Sequence, residues 1–393
     1  MIKLDGWFSL AKIPSFGMTN LPSVIPSEAE ESILTVKIDL SLTAQYTDVR
    51  SGPKFDPLRA IEPMTIYWLA VCFFLLLASS SGAAEAPARF LVAHGSIGGS
   101  TVPLWAAKEQ GIFRKYNVDP QLIYIIAGRA AQAMVAGELN FGLIGATHVT
   151  NAVTAGGDMT MLLGLESKLS FILVARPSIK RAEDLKGKKL AIGTPSGSVS
   201  LATYVGLDYL GLVPRRDNIV LLGVGSPQER LAAFLAGGVD AAFFQPEMAQ
   251  IPMTQGYTML LDLGKENVPF QSSGLATSHK FMRSNPRLVE NLAKAIVEGV
   301  AYVANPANKT RVAEIIAQNL KLDTPDRLER AYQSIAVMFP RKPCPSLPGV
   351  GSVLKLMAQH GLNPKAAELK PEDIADMSLC KKLDEAGFFD RLH

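Results

Sequence analysis

One phrase occurs twice in this chain. Ala136-Gly137-Glu138-Leu139-Asn140-Phe141-Gly142 returns as Ala236-Gly237-Gly238-Val239-Asp240-Ala241-Ala242. Each copy reads as a helix end, a glycine stop, an acidic or amide residue, and a short apolar strand. The flanking sequence repeats the same alternation. Short apolar runs at 89–93, 118–126, 141–144, 159–165 and 171–175 read as strands, with helical patterns at 103–110, 130–136 and 147–155 between them. A second set follows, with strands at 189–192, 219–222 and 241–244 and helices at 199–210 and from the capping box Ser226-Pro227-Gln228-Glu229 onward. Twice-repeated strand–helix alternation predicts an α/β architecture with sheets covered by helices on both faces. From Asn285 the pattern turns helical, interrupted by a proline-rich loop over 340–348.

Composition narrows the class further. Of 393 residues, 48% are hydrophobic and only 19% charged, below the roughly 25% charged of an average soluble domain. The net charge is +3 and no basic stripe with interleaved aromatics is visible, which argues against a nucleic-acid binder. Five scattered histidines and three cysteines make no metal motif. In the N-terminal quarter, residues 66–78 form a 13-residue apolar run followed by Ser79-Ser80-Ser81-Gly82-Ala83-Ala84. The run is shorter than the about 20 residues a spanning helix needs, and small residues after it mark a signal-peptidase site. Residues 64–86 therefore read as a signal peptide cleaved near Ala84, and 1–63 as a non-native or disordered extension ahead of Met64. Residues 87–393 hold 33 of the 39 Lys and Arg and 27 of the 36 Asp and Glu, a net charge of +6. Cys344 and Cys380 remain there; they could pair in an oxidising compartment, and the sequence leaves separate thiols equally open.

Four phrases carry a resemblance. Pro103-Leu104-Trp105-Ala106-Ala107-Lys108-Glu109-Gln110-Gly111-Ile112-Phe113, the segment Glu183 to Lys189 (EDLKGKK), Gln228-Glu229-Arg230-Leu231-Ala232-Ala233 with Gly238-Val239-Asp240, and the tail Leu383 to Phe389 (LDEAGFF) appear in that order. They resemble the nitrate/sulfonate/taurine family of ABC-transporter substrate-binding proteins, periplasmic binding protein type II, over about residues 88–392. The resemblance implies a two-lobed α/β fold, each lobe a mostly parallel sheet flanked by helices, with the ligand cleft between lobes. Lobe I would comprise 87–175 and 276–393, and lobe II 176–275. It also implies a periplasmic or secreted, monomeric protein that captures a small organic solute, delivers it to an ABC permease and needs no cofactor. The same superfamily contains a thiamine-pyrimidine synthase, but its cysteine-rich metal motif has no counterpart here, so binding without catalysis is the expectation. An enzyme of the synthase or dehydratase kind and a periplasmic ligand sensor are the competing readings.

In two-lobed α/β proteins ligands sit beyond the carboxyl ends of strands. The expected contacts come from four loops. They are Ser96 and Gly98 after the first strand, Ala146 and Thr147 at a helix start, Ser196-Gly197-Ser198 before another helix, and Gln245 with Glu247 after strand 241–244. Glycines admit close backbone approach, and hydroxyls and helix N-terminal N–H groups receive oxygen-rich ligands. The Ser-Gly-Ser loop lacks the Gly-Lys-Ser/Thr ending of a P-loop. The same loops carry no Arg or Lys, which leaves a neutral or weakly anionic solute as open as a strong anion. Trp105 and Arg129 read as a core aromatic and a surface cation.

Overall fold

A computed structural model describes residues 87–194, 197–322 and 324–392. The signal-peptide and extension expectations fall outside these residues. In chain order the elements are β1 (Ala88–His94), α1 (Val102–Glu109), α2 (Ile112–Lys115), β2 (Val118–Tyr124), α3 (Ala127–Val135), β3 (Phe141–Gly145), α4 (Ala146–Thr154) and β4 (Thr160–Met161). Next come β5 (Ile172–Ala175), β6 (Lys189–Ile192), α5 (Ser198–Tyr209), β7 (Val220–Gly223), α6 (Pro227–Leu235), β8 (Ala241–Phe244), α7 (Pro246–Met253), β9 (Thr258–Asp262) and β10 (Ser273–Thr277). Helices complete the chain: α8 (His279–Ser284), α9 (Pro286–Ala304), α10 (Lys309–Leu320), α11 (Pro325–Ala336), α12 (Leu347–Gln359) and α13 (Ser378–Glu385).

Two five-stranded sheets share one plan. Their orders are β2-β1-β3-β10-β4 and β7-β6-β8-β5-β9. In each, three parallel strands are extended by one antiparallel strand, which then pairs antiparallel with the last. One strand per sheet is thus reversed, and it is the strand that the chain enters directly from the other sheet. The chain crosses at 162–171 into β5 and returns at 263–272 into β10. The expected boundary after Ala175 therefore falls too late: β5 pairs with β8 and β9 in the second sheet. Sequence alone shows β5 as an apolar run and gives no sign of which sheet supplies its partners.

The twice-occurring phrase explains why the plans match. Ala136 and Ala236 donate to the carbonyls of Gln132 and Ala232, Gly137 and Gly237 to Met134 and Phe234, and residues 138 and 238 to Ala133 and Ala233. Gly137 and Gly237 sit at φ +80° and +84°, the left-handed region in which glycine ends a helix without steric cost. Each stop delivers the chain into an inner strand, β3 or β8, buried along its whole length. Burial on both faces is why these strands read as unbroken apolar runs rather than alternating ones.

The C-terminal helices close the structure. Val350, Val353, Leu354 and Met357 of α12 join one core with residues of both sheets, among them Ile144 and Phe243. The proline-rich loop ahead of α12 is tied to both crossing segments. Gly164 donates to Pro343 O, and the fully buried Gln271 donates to Glu166 O and Ser273 O while its Oε1 accepts from Ser346 N. Cys344, in that loop, is disulfide-bonded to Cys380 of α13, which settles the open pairing. Among the described residues no helix is long and apolar enough to cross a membrane.

Candidate functional site

A cavity of about 770 Å³, counted with its open mouth, lies where the carboxyl ends of the two sheets face each other. Strand ends and helix starts build its walls, because β2, β3, β6, β7 and β8 each hand the chain to a helix whose first N–H groups lack intrahelical partners. From the first sheet come Gly95, Ser96 and Ser100 after β1, Tyr124 ending β2, and Gly145 and His148 at the start of α4. From the second come Thr194 and Gly197 before α5, Ser198 at its start, Ser226 before α6 and Arg230 within it, and Gln245 before α7. The crossing segments add Glu166, Phe171, Ser272 and Ser273.

The turn after β1 is internally braced. His94 Nδ1–H donates to Ser96 O at 2.9 Å, and Thr101 Oγ1 donates to the same carbonyl at 2.9 Å. The walls touch across the mouth. Gly99 N donates to Glu247 Oε1 at 2.9 Å, and Gln228 Nε2 donates to Ile97 O at 3.1 Å. Gly98 passes so close to the opposite wall that a Cβ there would stand 2.7 Å from Gln245 Oε1. Tyr124 and Ser226 both line the cavity. The two walls are thus bridged across part of the mouth.

The expected residues fall into three groups. Ser96, Gly197, Ser198 and Gln245 face the cavity. Gly98 and Glu247 stand behind it as the bridge across the mouth. Ala146 and Thr147 are fully buried and outside the lining, so their helix start contributes through Gly145 and His148 instead. Ser196 lies outside the described residues. Trp105 packs in the core edge-on to His94, and Arg129 is exposed.

Two buried charged residues that line the cavity were missed. Arg230 is 2% exposed and faces the cavity. Its Nε donates to Phe243 O at 3.2 Å, and its guanidinium lies over the Phe244 ring. It makes no ion pair among the described residues, and burial lowers its pKa to about 10, which leaves it charged at neutral pH. The local signal was present: Arg230 and Phe234, one turn apart, are the buried residues of α6, so an arginine occupies the apolar stripe of an amphipathic helix. Glu166 is the second. Burial, then the nearby Glu247 carboxylate, push its pKa up to about 7, against the opposing hydroxyls of Ser272 and Ser100. Burial also raises Glu247, while it holds the neutral His148 at about 4 and lowers His94. Glu166 falls just past the apolar run 159–165, in a short gap before 171–175 that is not among the four loops.

The NMT1/THI5-like family model matches residues 100–309, just over half of the chain. The chain belongs to the NMT1/THI5-like family. Solved structures share its fold. A Bordetella bronchiseptica protein superposes with a TM-score of 0.66 at 20% identity, covering 76% of this chain and 98% of its own. The alkanesulfonate-binding protein SsuA of Xanthomonas axonopodis gives 0.60 at 19% identity, with 72% and 96% covered. The periplasmic nitrate-binding protein NrtA of Synechocystis gives 0.60 at 15%, with 77% and 89% covered. The fold is therefore that of periplasmic binding proteins. No curated protein sequence matches the chain.

Proposed function

We propose that this member of the NMT1/THI5-like family is an extracytoplasmic solute-binding protein that captures a small organic anion between its two lobes and passes it, as a monomer, to an ABC importer. One observation carries the reading: Arg230 is a buried, charged guanidinium with no carboxylate partner, turned into the cavity. A buried unpaired cation is costly, and an anion bound beside it would offset that cost with charge-assisted hydrogen bonds. The N-terminus of α5, with Gly197 and Ser198 at the cavity, adds a favourable dipole for the same charge. The printed ligands of two fold neighbours, alkanesulfonate and nitrate, are anions, which agrees with this chemistry. The division into lobe I and lobe II about the two crossing segments supplies the hinge. Opening separates the Gly99–Glu247 and Ile97–Gln228 contacts, and closure buries the solute for a permease to read.

The test is a thermal-shift panel of small carboxylates, sulfonates, phosphonates and nitrate on the full chain and on Arg230→Met. A solute at 100 times its dissociation constant adds about 2.7 kcal/mol of stability. Protection by an anion in the native chain, abolished in R230M, is the expected result. Protection that survives R230M, or that comes only from neutral solutes, overturns the reading.

A further inference from the structure

Two buried acids reach the same turn, the one after β1. Glu166 lies on the crossing segment before β5 and Glu247 in the first turn of α7. Gly99 N donates to Glu247 Oε1 at 2.9 Å. Glu166 interacts with the hydroxyl of Ser100, the next residue, and with the Glu247 carboxylate. Each acid keeps one buried oxygen without a hydrogen-bond partner, Glu166 Oε1 and Glu247 Oε2. Neither forms an ion pair among the described residues. Arg230 of α6 spends its Nε on Phe243 O, and the exposed Lys168 of the crossing segment donates to Asn267. On α11, which packs against α7, Arg330 pairs with Asp326. His148 of α4 and His94 of β1 are held neutral by burial, and Tyr124 of β2 interacts with Glu229. No group of three or more His, Cys, Asp or Glu among the described residues is placed to hold a metal ion. Two ionised carboxylates in one buried turn repel each other and lack water. A single proton removes one of the two charges and gives one orphan oxygen an O–H to donate.

We infer that Glu166 and Glu247 share one proton when the lobes close and release it when they open, so that solute capture is coupled to proton uptake from water. This rests on the capture reading above and deepens it by naming a regulator of the same site. Opening separates Glu247 from Gly99 and exposes both acids to water, where each ionises in the ordinary carboxylate range. In the closed pair, burial and the Glu247 charge push Glu166 up to about 7 from an ordinary 4.5. The contribution of the proton to closure is complete below the ordinary value and is lost as pH rises through the raised one. Affinity therefore falls between those values and levels off above them. The solute is held in mildly acidic surroundings and let go as they turn neutral.

Isothermal titration calorimetry on the full chain tests this with nitrate and methanesulfonate, which stay ionised throughout the range. Titrations at pH 5.5, 6.5 and 7.5, each in two cationic buffers of unlike ionisation enthalpy, count the protons taken up on binding. His148 is common to the native chain and its variants, so the difference between them is the quantity to read. At pH 5.5 the native chain is expected to take up about one proton more per bound anion than Glu166→Gln, and its affinity, relative to that variant, to fall by about tenfold per pH unit up to pH 7. Glu247→Gln gives the same difference, and serves if the first variant does not fold. Proton counts and pH slopes that are equal in native and variant would sink the shared proton and leave anion capture standing. No binding by either anion at millimolar concentration, at any of the three pH values, would remove both.

Discussion

Replacing Glu166 by Gln should make the solute-free protein more stable at pH 8, not less. The glutamate carboxyl is 7% exposed and carries a pKa of about 7 in the folded chain against an ordinary 4.5. Between those values the folded chain holds a proton that the unfolded chain has released. Stability contributed by this group is complete below about 4.5 and falls as pH rises to about 7. At 1.36 kcal/mol per pH unit the loss reaches about 3 kcal/mol. Glutamine reproduces the protonated form and does not titrate, so the difference between E166Q and the native chain should be near zero at pH 4 and grow to about 3 kcal/mol above pH 7. For a chain of this size that corresponds to roughly 5 °C in melting temperature. His148, held neutral at about 4, tilts the native curve the other way below pH 6.5; Arg230 lines the same cavity and Glu247 stands behind it. All three are common to both proteins, which is why the difference is the quantity to measure. Urea midpoints across pH 4–8 suffice. A difference that does not change with pH, or an E166Q protein less stable than native at pH 8, would refute the argument that burial keeps this acid protonated.

Other outcomes follow from the same geometry. Gly98→Ala places a methyl 2.7 Å from Gln245 Oε1 and should weaken solute binding about tenfold or more by calorimetry while barely moving the solute-free melting temperature. Gly137→Ala has open space around its Cβ and meets only the cost of φ +80°, about 1 kcal/mol by denaturant midpoint; Gly237→Ala would also run its methyl into Arg176 Nη2 and should cost more than its counterpart. Cys380→Ser opens a loop of sequence separation 36 and should lower stability by about 4 kcal/mol on the chain-entropy estimate. Added reductant should reproduce that loss in the native chain and have no effect on the variant.

Much of the architecture was legible because local chemistry and global fold agree. The glycine stops after α3 and α6, the capping box of Ser226 and Glu229, and the unbroken apolar runs of β3 and β8 each announce their element. What could not be read is what depends on distant chain. Whether β5 belongs to the first or second sheet is decided by β8 and β9, both more than sixty residues downstream. The site divides the same way. Loops at strand ends pointed to Ser96, Gly197, Ser198 and Gln245, which line the cavity, whereas Thr147 is fully buried and outside the lining. Glu166 becomes a site residue only when the crossing segment is laid beside Ser100 and Ser272. Arg230 was the recoverable omission: a charged residue at an inward helical position asks for an explanation before any ligand is considered.

The shared plan of the two sheets has a consequence for how such a protein changes its cargo. Elements α3 and α6, β3 and β8, and α4 and α7 begin at matching places in their halves. Comparing them position by position pairs Ala130 with Arg230, Gly145 with Gln245 and Thr147 with Glu247. One half holds an alanine, a glycine and a threonine where its counterpart holds a cation, an amide and a carboxylate. If the cleft captures a solute as proposed, rewriting Arg230, Gln245 and Glu247 would alter what one wall recognises, while the matching places on the other wall stay as they are.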